Sequence, residues 1–325
     1  MFHLFALHDT RAFGERLAAE LGGALAPLEE REFEDGEHKA RPLVDVEGCE
    51  VCIVQSLYGD AQRSSADKLV RLLFFAAAVR DHGARRVTLV LPYLAYARKD
   101  RRTQPNDPLN ARYVAQLIEA VGADAVVALE VHNPAAFDNA FRIPARHVHA
   151  DAVLAPQLLA LLDQDDVVVA SPDSGGVKRA QLFRETLVPL LGRDCGSAWL
   201  EKRRSRGVVS GDLLAGEVRG ATVVLVDDLI STGNTLVRAA RTCLAQGARR
   251  VIACAAHGVF AAGADAALRD PSLAAVLITD SIAPGRLGPE ARTRLQIVGA
   301  APLLAAALGP RAQASAAQAT PARAR

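Results

Sequence analysis

The sequence predicts an α/β protein of two domains built on one plan, each a mainly parallel sheet flanked by helices. Three observations carry this. First, apolar runs rich in β-branched residues end in polar loops, as in VTLVLPY (87–93) and TVVLVDD (222–228), which read as buried parallel strands. Second, the chain nearly repeats itself. GARRV occurs at Gly83–Val87 and again at Gly247–Val251, with GADAV at Gly122–Val126 between them, and ten residues separate Gly122 from His132 as they do Gly247 from His257. In each copy a helix ends at glycine, a strand runs through Val and Ala, and a histidine stands where the strand gives out. Third, with 325 residues, 50% of them hydrophobic, the chain has material for two ordinary cores.

Taken in order, MFHLFALHDTRAFG (1–14) reads as a first strand and lacks the basic start and cleavage site of a secretory signal. FEDGE (Phe33–Glu37) is a turn of acids around a glycine, following an aromatic residue. The domain boundary falls near Ala145–Val153, after the Pro144 turn, giving domains of 1–148 and 149–308. Arg203–Gly220 is polar, with glycines at 207, 211, 216 and 220, and reads as a mobile hairpin or lid. After the strand Thr222–Val226 and a polar loop, Leu236, Ala240, Cys243 and Leu244 fall at helical spacing. The tail 309–325 is Ala/Arg/Gln-rich without apolar periodicity and is expected to be disordered.

Bulk properties exclude several classes. A net charge of +1 gives no field directed at nucleic acid or membrane. No apolar run approaches a membrane span, and a cytoplasmic address follows by default. The five cysteines are scattered through aliphatic stretches. Cys49 and Cys52 have C-x-x-C spacing, but on a strand such residues face opposite sides, so all five read as small core residues in a reducing compartment.

The chemistry concentrates in Thr222–Leu236, TVVLVDDLISTGNTL. Asp227 and Asp228 close the strand. Ser231, Thr232, Gly233, Asn234 and Thr235 then lead into a helix whose N-terminal amides suit a phosphate. Adjacent carboxylates repel a phosphate but accept hydrogen bonds from sugar hydroxyls, so the segment suits a pentose phosphate. The plainer reading, a strand followed by an N-capping turn, explains Thr232 but not the paired acids. Two basic clusters, Arg98/Lys99/Arg101/Arg102 and Lys202/Arg203/Arg204/Arg206, follow predicted strands in a near-neutral protein and suit a polyanion. No G-x-x-x-x-G-K-[ST] or G-x-G-x-x-G occurs.

The segment VVLVDDLISTGNTL resembles the phosphoribosyl-pyrophosphate loop of the type I phosphoribosyltransferase fold. With FEDGE, PYLAYARKDRR (92–102), Val131-His132, SPDSGGVKRA (171–180) and EKRRSR (201–206), the likeness narrows to the ribose-phosphate diphosphokinase (phosphoribosyl-pyrophosphate synthetase) family. It covers the chain to about residue 305 and implies two tandem phosphoribosyltransferase-like domains, ATP being held mainly by the first. The resemblance implies transfer of the β,γ-diphosphoryl group of ATP to the C1 hydroxyl of ribose 5-phosphate, giving phosphoribosyl pyrophosphate and AMP. It assigns Lys202 and Arg204 to catalysis, with Arg204 also at the sugar phosphate. Phe33, Asp35, Gly36, Glu37, Arg98 and Lys99 go to ATP, and Asp227, Asp228 and 231–235 to ribose 5-phosphate. It places Mg²⁺ at His132 and Asp173 and implies a dimer-based homo-oligomer, up to a hexamer. Departures from the family pattern include Ser231, Asn234, Glu130 before Val131-His132, and the stretch Leu57–Leu72. Two other readings are a phosphoribosyltransferase, which leaves FEDGE and the Lys202 cluster unexplained, and a non-catalytic regulatory subunit, which the intact Lys202, Arg204, His132 and Asp227 oppose.

Overall fold

The computed structural model describes residues 1–162, 166–205 and 208–309, and only the backbone of the described residues within 202–212. The chain divides into two compact units, Met1–His149 joined by the segment from Ala300 onward, and Ala150–Gly299.

The first unit contains β1 (Phe2–Ala6), α1 (Arg11–Glu20), β2 (Leu28–Glu32), β3 (His38–Pro42), β4 (Glu50–Val54), α2 (Ser65–Asp81), β5 (Arg86–Leu91), α3 (Asn110–Ala120), β6 (Ala125–Leu129), α4 (Pro134–Ala140) and β7 (Ala145–Val148). Its main sheet has the order β1-β4-β5-β6-β7, every neighbouring pair parallel. β6, AVVAL, is buried at every position, as a parallel strand covered on both faces must be. β2 and β3 form a separate antiparallel hairpin. α2 begins with a reciprocal cap, Ser64 Oγ accepting from Asp67 N–H at 3.1 Å while the Asp67 carboxylate accepts from Ser64 N–H at 2.9 Å.

The second unit contains α5 (Asp151–Leu158), β8 (Val167–Ser171), α6 (Val177–Leu191), β9 (Gly196–Ser205), β10 (Val208–Ala215), β11 (Thr222–Ile230), α7 (Asn234–Ala245), β12 (Arg250–Gly258), α8 (Ala264–Leu268), β13 (Ala275–Thr279), α9 (Pro289–Arg292) and β14 (Leu295–Val298). Its sheet runs β10-β9-β8-β11-β12-β13-β14, parallel throughout except for β10, which returns antiparallel on β9. The polar stretch read as a mobile hairpin or lid, Arg203–Gly220, takes in the end of β9 and all of β10, with 206–207 outside the described residues. The repeat noticed in the sequence is structural, since α2 and α7 each give way to a left-handed glycine, Gly83 and Gly247.

One boundary needs correction. The helix α10 (Ala301–Leu308) was expected in the second domain, yet it belongs to the first unit, packing on α1, β6 and β7. Its Ala301, Leu304 and Ala305 are buried, and Arg146 donates to the Ala307 carbonyl at 2.8 Å. An apolar helix goes where a sheet face lacks cover, whatever its place in the chain. The tail beyond Gly309 lies outside the described residues. No helix among the described residues is long and apolar enough to cross a membrane.

Candidate active site

In the second unit the strand carrying the two acids is longer than predicted. β11 continues to Ile230, so Asp227 and Asp228 lie within it. Its pairing with β8 stops at Leu225–Ala170, while pairing with β12 persists to Ile230–Gly258. Both acids therefore stand beside the turn that β8 makes at Ser171–Gly176, on the carboxyl edge of a parallel sheet, where such folds bind ligands. Consecutive strand residues ordinarily face opposite sides, yet the Arg179 guanidinium lies 3.6 Å from Asp227 Oδ1 and 3.7 Å from Asp228 Oδ1. Asp227 Oδ1 also accepts from the Asp228 N–H at 2.9 Å. Burial, then the neighbouring Asp228 charge, push the Asp227 carboxyl well above its ordinary range, against the pull of Arg179. Such a pair readily accepts vicinal hydroxyls and favours an approaching cation.

The loop after these acids is set by Gly233, the residue before α7, at φ +77°. A Cβ there would lie 2.7 Å from the Ala267 side chain. Asn234 is the first residue of α7, and the left-handed conformation falls to Gly233 before it. No side chain caps α7, so Thr232 is not the N-cap that the plainer reading required. The Ile230 and Ser231 carbonyls accept from Phe260 and Ala261 N–H at 3.0 Å each, which anchors the loop from behind. The first amides of the helix have no intrahelical partner by construction and carry the positive end of its dipole.

At the end of β8, Asp173 Oδ1 accepts from Gly175 and Gly176 N–H at 3.0 and 3.2 Å, leaving Oδ2 to turn toward a ligand. A Cβ on Gly176 would come within 2.6 Å of Ser171 Oγ, so the turn is as tight as a side chain-free residue permits. Trp199 of β9 pairs with Ser171, and the strand continues to Lys202 and Arg204, which pair through the backbone with Asp212 and Val209. The backbone of Lys202 thus lies beyond the same carboxyl edge as Asp173 and Asp227; its side chain and that of Arg204 lie outside the described residues, as does Arg206.

In the first unit, Arg98, Lys99 and His132 lie beyond the carboxyl ends of β5 and β6. Asp100 accepts from the Asn133 side-chain amide at 2.6 Å, joining the two loops next to His132, and Asn133 in turn caps α4. Arg98 is exposed. Lys99 is engaged otherwise: its ammonium lies 2.5 Å from Asp107, whose carboxylate also accepts from Thr103 and Gln104 and is held well below the usual range, first by Lys99. FEDGE forms the exposed tip of the β2–β3 hairpin, closed by Phe33 N–H to Glu37 O at 2.8 Å and by Asp35 Oδ1 accepting from Glu37 N–H at 3.0 Å. Arg31 covers one face of the Phe33 ring, 4.9 Å from its centroid. His132 and Asp173 belong to different units.

Two family models match the chain: the N-terminal domain of ribose phosphate pyrophosphokinase over residues 2–122, and the phosphoribosyl transferase domain over 143–283. The ribose-phosphate pyrophosphokinase of Gloeobacter violaceus is 37% identical, over 89% of this chain and 85% of that protein. The chain belongs to the ribose-phosphate pyrophosphokinase family. The enzyme of that name from Caldanaerobacter subterraneus is 36% identical, with 94% of this chain and 93% of the relative covered. A crystal structure of phosphoribosylpyrophosphate synthetase from Mycobacterium smegmatis superposes with a TM-score of 0.84 at 30% identity, over 94% of this chain and 97% of the other.

Against this ribose-phosphate pyrophosphokinase frame, one residue was missed. Arg179 lay inside a quoted motif without a role, and only the packing of α6 against β11 shows that it serves both carboxylates. The donor set suits a hard divalent cation at Asp173, whose Oδ2 is an oxygen ligand, better than at His132, whose nitrogen is a softer one. His257 is structural: buried, with Nδ1 2.8 Å from Ser281 Oγ. The cysteines are all buried, and burial pushes Cys52 to about 12 and Cys243 to about 11, which removes them as nucleophiles.

Proposed function

We propose that Asp227 and Asp228 accept the ribose hydroxyls of ribose 5-phosphate while residues 231–235 and the α7 N-terminus hold its phosphate. In the reaction of this family the C1 hydroxyl oxygen bonds to the β-phosphorus of ATP, the bridging bond to the α-phosphate breaks, AMP leaves with the electron pair, and the hydroxyl proton is released. Lys202 and Arg204, on β9, stabilise the charge that develops on the transferring group. Arg98 and Lys99 meet the ATP phosphates, Lys99 after exchanging Asp107 for its ligand. Phe33 stacks the adenine on its face away from Arg31, and Asp35, Gly36 and Glu37 complete that contact. Asp173 of the second unit and His132 of the first are the candidate Mg²⁺ ligands, and the ion would supply charge neutralisation between two polyanions when bound. The observation that carries the assignment is the coincidence, on one sheet edge, of a carboxylate pair sharing one guanidinium with a helix N-terminus that no side chain caps.

The test is AMP release from ATP and ribose 5-phosphate by purified protein. Lys202→Ala is expected to lower kcat by about two to three decades, roughly 3–4 kcal/mol, with both substrate affinities within several-fold. Near wild-type turnover by that variant would remove the role given to β9. A phosphoribosyltransferase would release no AMP but would release pyrophosphate when given phosphoribosyl pyrophosphate and a base, and a silent subunit would release neither product. We also place the protein in the cytoplasm as a dimer-based homo-oligomer, in which the exposed FEDGE tip reaches a neighbouring subunit. A fully active monomer in sedimentation would refute that arrangement.

A further inference from the structure

A second group of metal-capable side chains lies in the first unit, and the reading above leaves it without a role. Glu130, His147 and His149 each bring a ligand atom to within 4.8 Å of the others. Topology explains why they meet. β6 and β7 are parallel neighbours whose pairing runs out at Leu129–Val148, and the Glu130 N–H continues it by donating to the Val148 carbonyl at 2.8 Å. His147 lies on the edge strand β7 and His149 is the first residue past its end, two positions on, so that backbone still extended there brings the two side chains to one side. Their rings stand 4.3 Å apart between centroids, tilted by 62°. Glu130 carries the carboxylate of the neighbouring strand to this pair. It is buried, at 8% exposure, and its φ of +35° is a conformation that few residues other than glycine adopt. His147 is half-buried and His149 exposed, which gives an ion a route in from solvent.

We propose that Glu130, His147 and His149 form a binding site for a borderline divalent transition metal of the Zn²⁺ type, separate from the Mg²⁺ used with ATP. Two imidazoles and one carboxylate form a donor set that such ions prefer and Mg²⁺ does not. Three protein ligands leave the fourth tetrahedral position to water. With metal–ligand distances near 2.0–2.1 Å, tetrahedral ligands sit about 3.4 Å from one another. The three donors therefore close by roughly 1.4 Å at most, a distance within reach of side-chain rotation. His132, two residues past Glu130, is not one of the three. An ion here would tie the end of β7 to that of β6, at the last residue before the chain passes into the second unit.

Co²⁺ titration of the full chain, with millimolar Mg²⁺ present throughout to occupy the ATP-linked site, tests this. The expected result is one equivalent bound with the intense visible absorption of a low-coordinate Co²⁺ centre, displaced by one equivalent of Zn²⁺, and a rise of several degrees in the melting temperature. His149→Ala, at an exposed position, should abolish both signals, and His147→Ala should weaken them at least tenfold, while His132→Ala should retain them. No saturable Co²⁺ binding, binding unchanged in His149→Ala, or binding lost in His132→Ala would each overturn the proposal. The readouts are spectroscopic and thermal, so the outcome is independent of whether the protein proves to make phosphoribosyl pyrophosphate.

Discussion

Replacing Arg179 with alanine removes a guanidinium that Asp227 and Asp228 share. At separations of 3.6 and 3.7 Å, each fully charged pair is worth about 4.5 kcal/mol before desolvation, taking an effective dielectric of about 20. Two effects reduce this. The Arg179 side chain had to leave water to reach 17% exposure, and the Asp227 carboxyl is held well above its ordinary range, so its charge is partial near neutrality. Losing one partner of a mostly buried ion pair costs about 3–5 kcal/mol, and the residual exposure of Asp227, 24%, argues for the lower end. Arg179→Ala should therefore destabilise the second unit by about 3 kcal/mol, lowering its melting temperature by about 6–12 °C.

The pH dependence sharpens the test. Because the folded state holds the Asp227 proton more tightly than the unfolded chain, whose carboxyl titrates near 3.8, this group's stabilising contribution is complete below that value. It is lost as pH rises toward the folded pKa. Asp227→Asn should then leave stability unchanged near pH 4 and raise it by about 1–3 kcal/mol at pH 8, where it removes a poorly solvated charge. For the same reason Arg179→Ala should cost more at pH 8 than at pH 5, and adding Asp227→Asn should restore much of the loss. Thermal unfolding followed by circular dichroism at the two pH values measures all four species. An Arg179→Ala penalty that is absent, or equal at both pH values, would refute the claim that the guanidinium neutralises this pair.

Two further outcomes concern stability and the loop before α7. Lys68 is fully buried on α2, with Nζ 2.5 Å from Asp60 and 3.8 Å from the centroid of the Tyr58 ring. Asp60→Asn, which keeps the turn's acceptor for Gln62 and Arg63, leaves that ammonium with the ring alone and should cost the first unit about 2–3 kcal/mol by thermal unfolding. Lys68→Met added to it should recover most of the loss; no recovery would mean that the charge is not the cause. Gly233→Ala should cost about 2 kcal/mol, since it meets both a φ of +77° and a Cβ contact of 2.7 Å, and should raise the KM for ribose 5-phosphate. Gly263→Ala, at φ +93° with open space around it, serves as the control and should cost about half as much with KM unchanged.

Much of the architecture was legible because parallel strands buried on both faces have to be continuous apolar runs, and Val223–Val226 and Val87–Leu91 are such runs. The Asp227-Asp228 pair could be read for the same reason, since nothing in a strand's own logic calls for two acids there. What escaped were relations between distant side chains. Arg179 looked like one more cation until α6 was seen to bring it against β11. Lys99 looked available until the 103–107 turn presented Asp107 to it. The end of β11 was placed four residues early because a strand that outruns one neighbour while pairing with the other leaves no mark in its own sequence.

The return of α10 to the first unit changes what it means to make this protein. The first sheet is finished by a helix that emerges from the ribosome only after all of residues 150–299 have been synthesised. Until then Leu304 and Ala305 are missing from a surface of α1, β6 and β7 that would otherwise meet water. The unit synthesised first is therefore the unit completed last, and the continuous second unit has all its own strands and helices in hand before the first does. A chain released early, anywhere between Gly299 and Leu308, would carry a complete second unit and a first unit lacking part or all of α10. Completion of the first unit of this enzyme thus waits on the eight residues of α10.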